Sequence, residues 1–218
     1  VRMVKRLTQL RHVGHGGTLD PVASGVLPIC IGQATRAMEY LIQNKKSYWC
    51  RIRLGITTDT YDSLGVVTSE GDASQVTREQ VEQLTAQFTG LIAQLPPMYS
   101  ALKHKGKRLY ELAREGVEVE REARQVNVYR LEIHNWAPPF VEIEVECGRG
   151  LYMRSLAHDI GQVLGCGAHL ESLIRQRTGA LRIEDSITPE EFQSAVEEGD
   201  WQKLVQPTDV VLIHLDSV

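Results

Sequence analysis

Two hydrophobic periods divide this chain. Residues 47–55 set Tyr48, Cys50, Ile52 and Leu54 against Trp49, Arg51 and Arg53. That alternation is the mark of a half-buried strand, with Tyr48 opening its buried face. Residues 140–147 alternate as strictly, Val141, Ile143 and Val145 against Glu142, Glu144 and Glu146. With residues 126–136 they predict two strands around Ala137-Pro138-Pro139, the glutamates lying on a solvated sheet face. Elsewhere apolar residues recur at helical spacing. Val4, Leu7 and Leu10 among Lys and Arg predict a basic amphipathic helix over residues 1–13. Thr77 and Gln80 form a capping box before Val81, Leu84 and Phe88, predicting a helix over 78–88. Thr188, Pro189 and Glu191 do the same for a helix to about 198. A helix over 148–164 would bury Leu156, Ile160 and Val163 and end at Gly165. Short helices are expected over 34–42 and 109–115, and strands over 26–31 and 210–215.

The chain has 218 residues, 42% hydrophobic and 24% charged, and no apolar run long enough to span a membrane, which is the pattern of a cytoplasmic globular protein. Four cysteines, Cys30, Cys50, Cys147 and Cys166, lack metal-ligand spacing and are expected as buried free thiols. The net charge of −4 is unevenly spread: residues 184–218 form an acidic end of −8, and the rest carries +4. A mildly basic body is compatible with RNA, because the local field matters more than the total.

Three stretches carry candidate chemistry. Residues 14–29, with four glycines and two prolines, predict a tight loop holding Asp20 at its tip. Such a stretch is more often a plain turn, and it lacks the spacing of a dinucleotide or P-loop cradle. Residues 57–65 hold Asp59 and Asp62, too few oxygen ligands for calcium, so a turn with surface contacts is expected. Residues 94–125 concentrate Lys103, Lys105, Lys107 and Arg108 beside Tyr99 and Tyr110. Cations neutralise phosphates and aromatic faces stack bases, although most charge runs are only solvated. Arg154, in the first turn of its helix, is disfavoured there by the helix dipole, so a partner outside the helix is expected.

The sequence from Gly14 through Asp20 to Pro28 resembles the Asp-containing motif of the TruB-type tRNA pseudouridine synthases. Lys46-Ser47-Tyr48, the segment 57–65, Gly150-Leu151-Tyr152-Met153-Arg154 and residues 165–177 also resemble that family's patterns. The resemblance implies an α+β fold, a mixed or antiparallel sheet flanked by helices with a basic thumb inserted at about 97–125. It implies a single catalytic domain over 1–218, acting as a monomer without metal or cofactor. Asp20 would be catalytic. Tyr48 would stack on the target base, Leu173 and Tyr152 would line its pocket, and Arg154 would pair with the catalytic acid. His15 would fill the stack that the flipped base vacates, and Lys103, Lys105, Lys107 and Arg108 would hold the RNA. The reaction would be isomerisation of uridine 55 in the T-arm stem-loop of tRNA. Asp20 could add to the ring, attack C1′ or remove a ribose proton. The family's opening strand segment and closing RNA-binding domain are expected to be absent. The rival expectation is an inactive RNA-binding or RNA-folding module of the same descent. A glycosidase-type enzyme would need a second carboxylate in a comparable loop.

Overall fold

The computed structural model describes residues 1–209; the strand expected over 210–215 lies outside them. The chain divides into two compact units, one of residues 1–47 and 175–218, the other of residues 48–174. The strands Lys46–Leu54 and Ala168–Thr178 contribute residues to both.

The first unit gathers around Val4, Val13 and Phe192, with Met3, Leu7, Leu10, Ile31 and Val196 against them. Its opening helix spans Arg2–Thr8 only, because Gln9 turns left-handed at φ 59° and stops it. Helix Pro189–Glu198 begins with the capping box expected of it, Thr188 accepting from the Glu191 amide at 3.1 Å. It ends at Gly199 in the left-handed region. Between these ends run the short strands Val13–His15 and Ile29–Ile31, paired antiparallel, and Ala23–Gly25, which pairs with Ala168–Thr178. The strand expected over 26–31 is thus confined to its last three residues. Pro28 has no amide to give a ladder, and its carbonyl instead accepts from Gly16 at 2.8 Å. Where one helix was expected over 34–42, a 3-10 turn Gly32–Ala37 leads into helix Met38–Gln43.

The second unit is built on a sheet in which Ala168–Thr178, Lys46–Leu54, Phe140–Cys147, Arg124–Ala137 and Gly90–Gln94 lie side by side in that order. The two expected strands form a long antiparallel hairpin, and Gly90–Gln94 pairs antiparallel to its free edge. Alternation predicts the inner face correctly: Ile52, Leu54, Val141 and Ile143 meet Val81 and Leu84 of helix Arg78–Thr85 and Ile160 of helix Met153–Val163. Each such burial contributes about 1.5–3 kcal/mol. On the outer face Glu144 is largely covered rather than simply solvated, receiving Arg130 at 2.6 Å and His134 at 3.1 Å. Val163 is 54% exposed instead of sharing the buried face of Leu156 and Ile160. The α+β class with a sheet flanked by helices is what the sequence implies. All four cysteines are buried and free, and no helix of the described residues is long and apolar enough to cross a membrane.

Candidate active site

In the first unit, the Asp20 loop is braced by a buried side chain. Arg175, 1% exposed, donates through Nε to the Val26 carbonyl at 2.7 Å. Its Nη atoms donate to the Thr18 and Gly17 carbonyls at 3.2 Å each. The guanidinium fork thus holds backbone on both sides of Asp20. The Val26 amide returns a bond to the Arg175 carbonyl at 2.8 Å. Gly25, at φ 99°, is required there, since a Cβ would run into the Arg175 backbone. At the tip, the Ala23 amide donates to the Asp20 carbonyl at 2.9 Å, closing a turn over Pro21 and leaving Asp20 half-buried. His15 lies in the strand opposite Ile29, its Nδ1 buried with no hydrogen-bond partner among the described residues. Sequence reasoning misses Arg175. It lies in the family-like segment 165–177, but no residue pattern gives it a role, and only the carbonyls it meets reveal its work.

In the second unit, Arg154 occupies the first turn of helix Met153–Val163 and is 4% exposed. Among the groups that hold it are the carbonyl of Thr60 at 3.2 Å, the carbonyl of Tyr99 at 2.9 Å, and the carboxylate of Asp62, Nε to Oδ2, at 3.7 Å. The partner expected from the dipole argument therefore includes Asp62. Asp62 itself is 3% exposed, correcting the expectation of surface contacts at that position. It also accepts from the Thr60 hydroxyl at 2.7 Å and the Leu64 amide at 3.1 Å. Asp59 is exposed, as expected of a turn residue. The buried Asp is illegible in the sequence because a Thr-rich loop with two acids reads as solvated from its composition.

The helix start is fixed by Gln94, which is 2% exposed. Its Oε1 accepts from the Tyr152 amide at 2.8 Å and its Nε2 donates to the Tyr152 carbonyl at 3.1 Å. Gln94 thus pins the residue that flanks the helix start, while Tyr152 offers no side-chain cap of its own. Ser155 adds a bond to the Leu95 carbonyl at 2.9 Å. Tyr48 and Leu173, on the two long strands, are buried at 8% and 3% exposure, and Tyr152 is half-buried.

The basic segment is ordered. Lys103–His104 and Lys107–Arg108 form a two-stranded hairpin whose turn, Lys105 and Gly106, has positive φ at both residues. Helix Leu109–Arg114 follows, with Leu109 and Leu112 buried. Lys103, Lys105, Lys107 and Arg108 all stay exposed, Lys107 pairing with Glu115 at 3.3 Å. Arg108 and Arg114 lie 5.9 and 5.5 Å from the Tyr110 ring centre. Among the described residues no cluster of three or more His, Cys, Asp or Glu could hold a metal ion.

On helix Met153–Val163, burial pushes Asp159 up to about 6 and lowers the pKa of His158.

Residues 5–153 match the profile of the TruB family pseudouridylate synthase N-terminal domain. Residues 154–213 match that of the tRNA pseudouridylate synthase B C-terminal domain. A tRNA pseudouridine synthase B of Dehalococcoides mccartyi is 44% identical over all 218 residues, which span 73% of that protein. One of Clostridium tetani is 45% identical and spanned to 74%. Among solved structures, a Cbf5–Nop10–Gar1 complex superposes with a TM-score of 0.76 at 31% identity over 98% of this chain and 57% of the other. An H/ACA RNP bound to a substrate RNA containing 2′-deoxyuridine gives 0.72 at 28% identity, over 98% of this chain and 56% of that one. The chain thus spans less than two thirds of those two solved chains but nearly three quarters of those two curated relatives. With its motifs, its fold and relatives of this identity in agreement, the chain belongs to the TruB family of pseudouridylate synthases.

Proposed function

We propose that the chain isomerises uridine to pseudouridine in tRNA, at position 55 of the T-arm, acting as one catalytic domain and as a monomer. The N1–C1′ bond of the nucleoside breaks, the uracil turns, and C5 joins C1′; C5 gives up its proton to solvent and N1 takes one up. No electrons leave the nucleoside and no group is donated, so the reaction asks for placed side chains alone.

Asp20 supplies the carboxylate that acts on the nucleoside. The observation that carries this reading is the buried Arg175 fork, which fixes the backbone on both sides of Asp20 through three carbonyls. A reacting group must be held to within a fraction of an ångström, and a loop braced at Gly17, Thr18 and Val26 meets that demand. The target base is extruded from its helix at a cost of a few kcal/mol. Tyr48 stacks on it, Leu173 and Tyr152 complete its apolar surroundings, and Arg154 offers a fixed positive charge. His15 takes the place the base leaves in the RNA stack. Lys103, Lys105, Lys107 and Arg108 on the thumb neutralise phosphates of the stem-loop.

Tritium release from a T-arm stem-loop carrying 5-tritiated uridine tests the reading. The intact chain is expected to release tritium. Asp20→Asn should bind the RNA as tightly and release none. Binding without release by the unaltered chain would support the RNA-folding module instead.

A further inference from the structure

The thumb and the 58–66 loop, both in the second unit, leave between them a cleft of about 230 Å³ whose walls include Asp59, Tyr61, Met98, Tyr99 and Arg121. No step of the proposed reaction uses it.

One of its lining residues is an aromatic held at some cost. Tyr61 has φ 63°, a region that an aromatic residue adopts only when its surroundings impose it. Here they do. The Tyr61 amide donates to the Thr58 carbonyl at 3.2 Å, and the Leu170 amide donates to the Tyr61 carbonyl at 3.0 Å. The Tyr61 ring lies flat on the His158 ring, with 3.9 Å between centres and 15° between planes. One face of Tyr61 is therefore backed by an imidazole, and the residue lines the cleft. Asn or Gly would build the same turn without strain, so the side chain, not the turn, explains the choice of residue.

The rim is polar. Asp59 uses Oδ1 to accept from the Val66 amide at 2.8 Å, and the Tyr99 hydroxyl approaches its Oδ2 only to 3.5 Å, which leaves acceptor capacity. Arg121 is fixed by the Pro96 carbonyl at 3.0 Å and Glu118 at 3.2 Å. Both walls hang from Arg154, which holds the carbonyls of Thr60, next to Tyr61, and of Tyr99.

We infer that this cleft receives a second unstacked nucleobase of the RNA, one near the target uridine, with Tyr61 as its stacking platform. A flat ring backed by another ring suits a base of any kind. The free acceptor of Asp59 selects one with adjacent N–H donors, and guanine presents two. The inference rests on the proposed function only in taking RNA as the ligand and Arg154 as close to the reacting uridine.

The test is a coupling measurement on T-arm stem-loops made abasic at each loop position in turn. Tyr61→Gly removes the platform and suits the positive φ, which offsets part of the stability lost with the ring's stack on His158; Tyr61→Asn repeats the test with a side chain that also tolerates that φ. Both should weaken binding by ~10-fold or more, the worth of one stacked base, and Tyr61→Phe should bind as the unaltered chain does. One abasic position should weaken the unaltered chain equally and cost the two variants nothing more. Inosine at that position should weaken the unaltered chain but not Asp59→Asn. Losses that multiply at every position would overturn the inference, even with tritium release intact. Coupling without tritium release would uphold it and overturn the proposed reaction instead. Absence of any RNA binding would overturn both.

Discussion

Arg175 donates through Nε to the carbonyl of Val26 at 2.7 Å, across 149 residues of sequence, while its other nitrogens hold Gly17 and Thr18. A buried guanidinium that serves backbone rather than a carboxylate is a construction device: five donors in a rigid fork fix three carbonyls at once. Arg175→Lys keeps the charge but replaces the fork with one point of donation, and Arg175→Ala leaves three carbonyls, that of buried Val26 among them, without this donor. Hydrogen bonds to a charged group contribute about 1.5–3 kcal/mol each, not additively. Arg175→Ala should therefore destabilise the chain by at least ~3 kcal/mol in denaturant titration, and Arg175→Lys by less. For Arg175→Lys, turnover should fall further than stability, with faster amide exchange over residues 14–28. Exchange unchanged there would count against the bracing role.

The backbone of this site is far more legible in the sequence than its supports are. Alternation finds the strands around Cys50 and Ile143 because a sheet buried on one face leaves a period of two in the sequence. Thr77 and Thr188 announce their helices because capping is local, contained within four residues. The strand Ala168–Thr178 and the edge strand Gly90–Gln94 escape such a reading. The first mixes Glu, Ser, Arg and Gln with its apolar residues, and Arg175 and Thr178 within it are buried. The second lies at the sheet's edge and is mostly exposed, so it leaves little hydrophobic pattern. Asp20, Tyr48 and Arg154 stand out through a motif. Asp62 and Arg175 lie in family-like segments too, yet their roles, like that of Gln94, stay hidden, because each acts through a partner that no spacing rule connects to it, tens of residues or more away in sequence.

Asp62 makes a case for separating charge from shape. Its carboxylate is buried with Arg154 and also accepts from Thr60 and Leu64. Asp62→Asn keeps an acceptor of the same size but discards the negative charge beside Arg154. Asp62→Ala discards the acceptor too, leaving the Leu64 amide and the Thr60 hydroxyl unsatisfied. Asp62→Ala should cost about 2–4 kcal/mol of stability, more than Asp62→Asn. Both should lower turnover more than they weaken RNA binding, since Arg154 would keep its place less well. Equal stability in the two variants, measured by urea titration, would show that the acceptor role is unimportant.

Stability should depend on pH through helix Met153–Val163. Burial raises Asp159 from 3.8 to about 6, so the folded chain holds that proton more tightly than the unfolded chain does. The stability this group contributes is full below pH 3.8 and is lost as pH rises through about 6. His158 works in the opposite sense: burial lowers its pKa from 6.5, so its contribution is present above that value and is lost as pH falls through the folded value. The two opposing slopes are separated by a difference. Asp159→Asn should match the parent chain's melting temperature below pH 3.8 and exceed it above pH 6. A melting difference that stays constant across that range would mean Asp159 does not titrate as its burial demands.

The basic hairpin of residues 103–108 offers the sharpest electrostatic measurement. Lys103, Lys105 and Lys107 are exposed on a two-residue turn and its short strands, and Lys107 faces an acidic partner, Glu115 at 3.3 Å. Exposed cations contribute almost nothing to folding, so replacing all three with Gln should leave the melting temperature nearly unchanged. If they meet phosphates, each releases counterions, and the slope of log affinity against log salt should flatten by about 0.7–0.9 for every phosphate no longer neutralised. Lys107 should count for less than the other two, because Glu115 already neutralises it in the free protein. The triple variant should therefore flatten the slope by ~2 and weaken RNA binding most at low salt. Turnover at saturating RNA should be unchanged, because these side chains position the backbone of the RNA and not the nucleoside. A weaker affinity with an unaltered salt slope would instead mean that the hairpin acts by shape and not by charge.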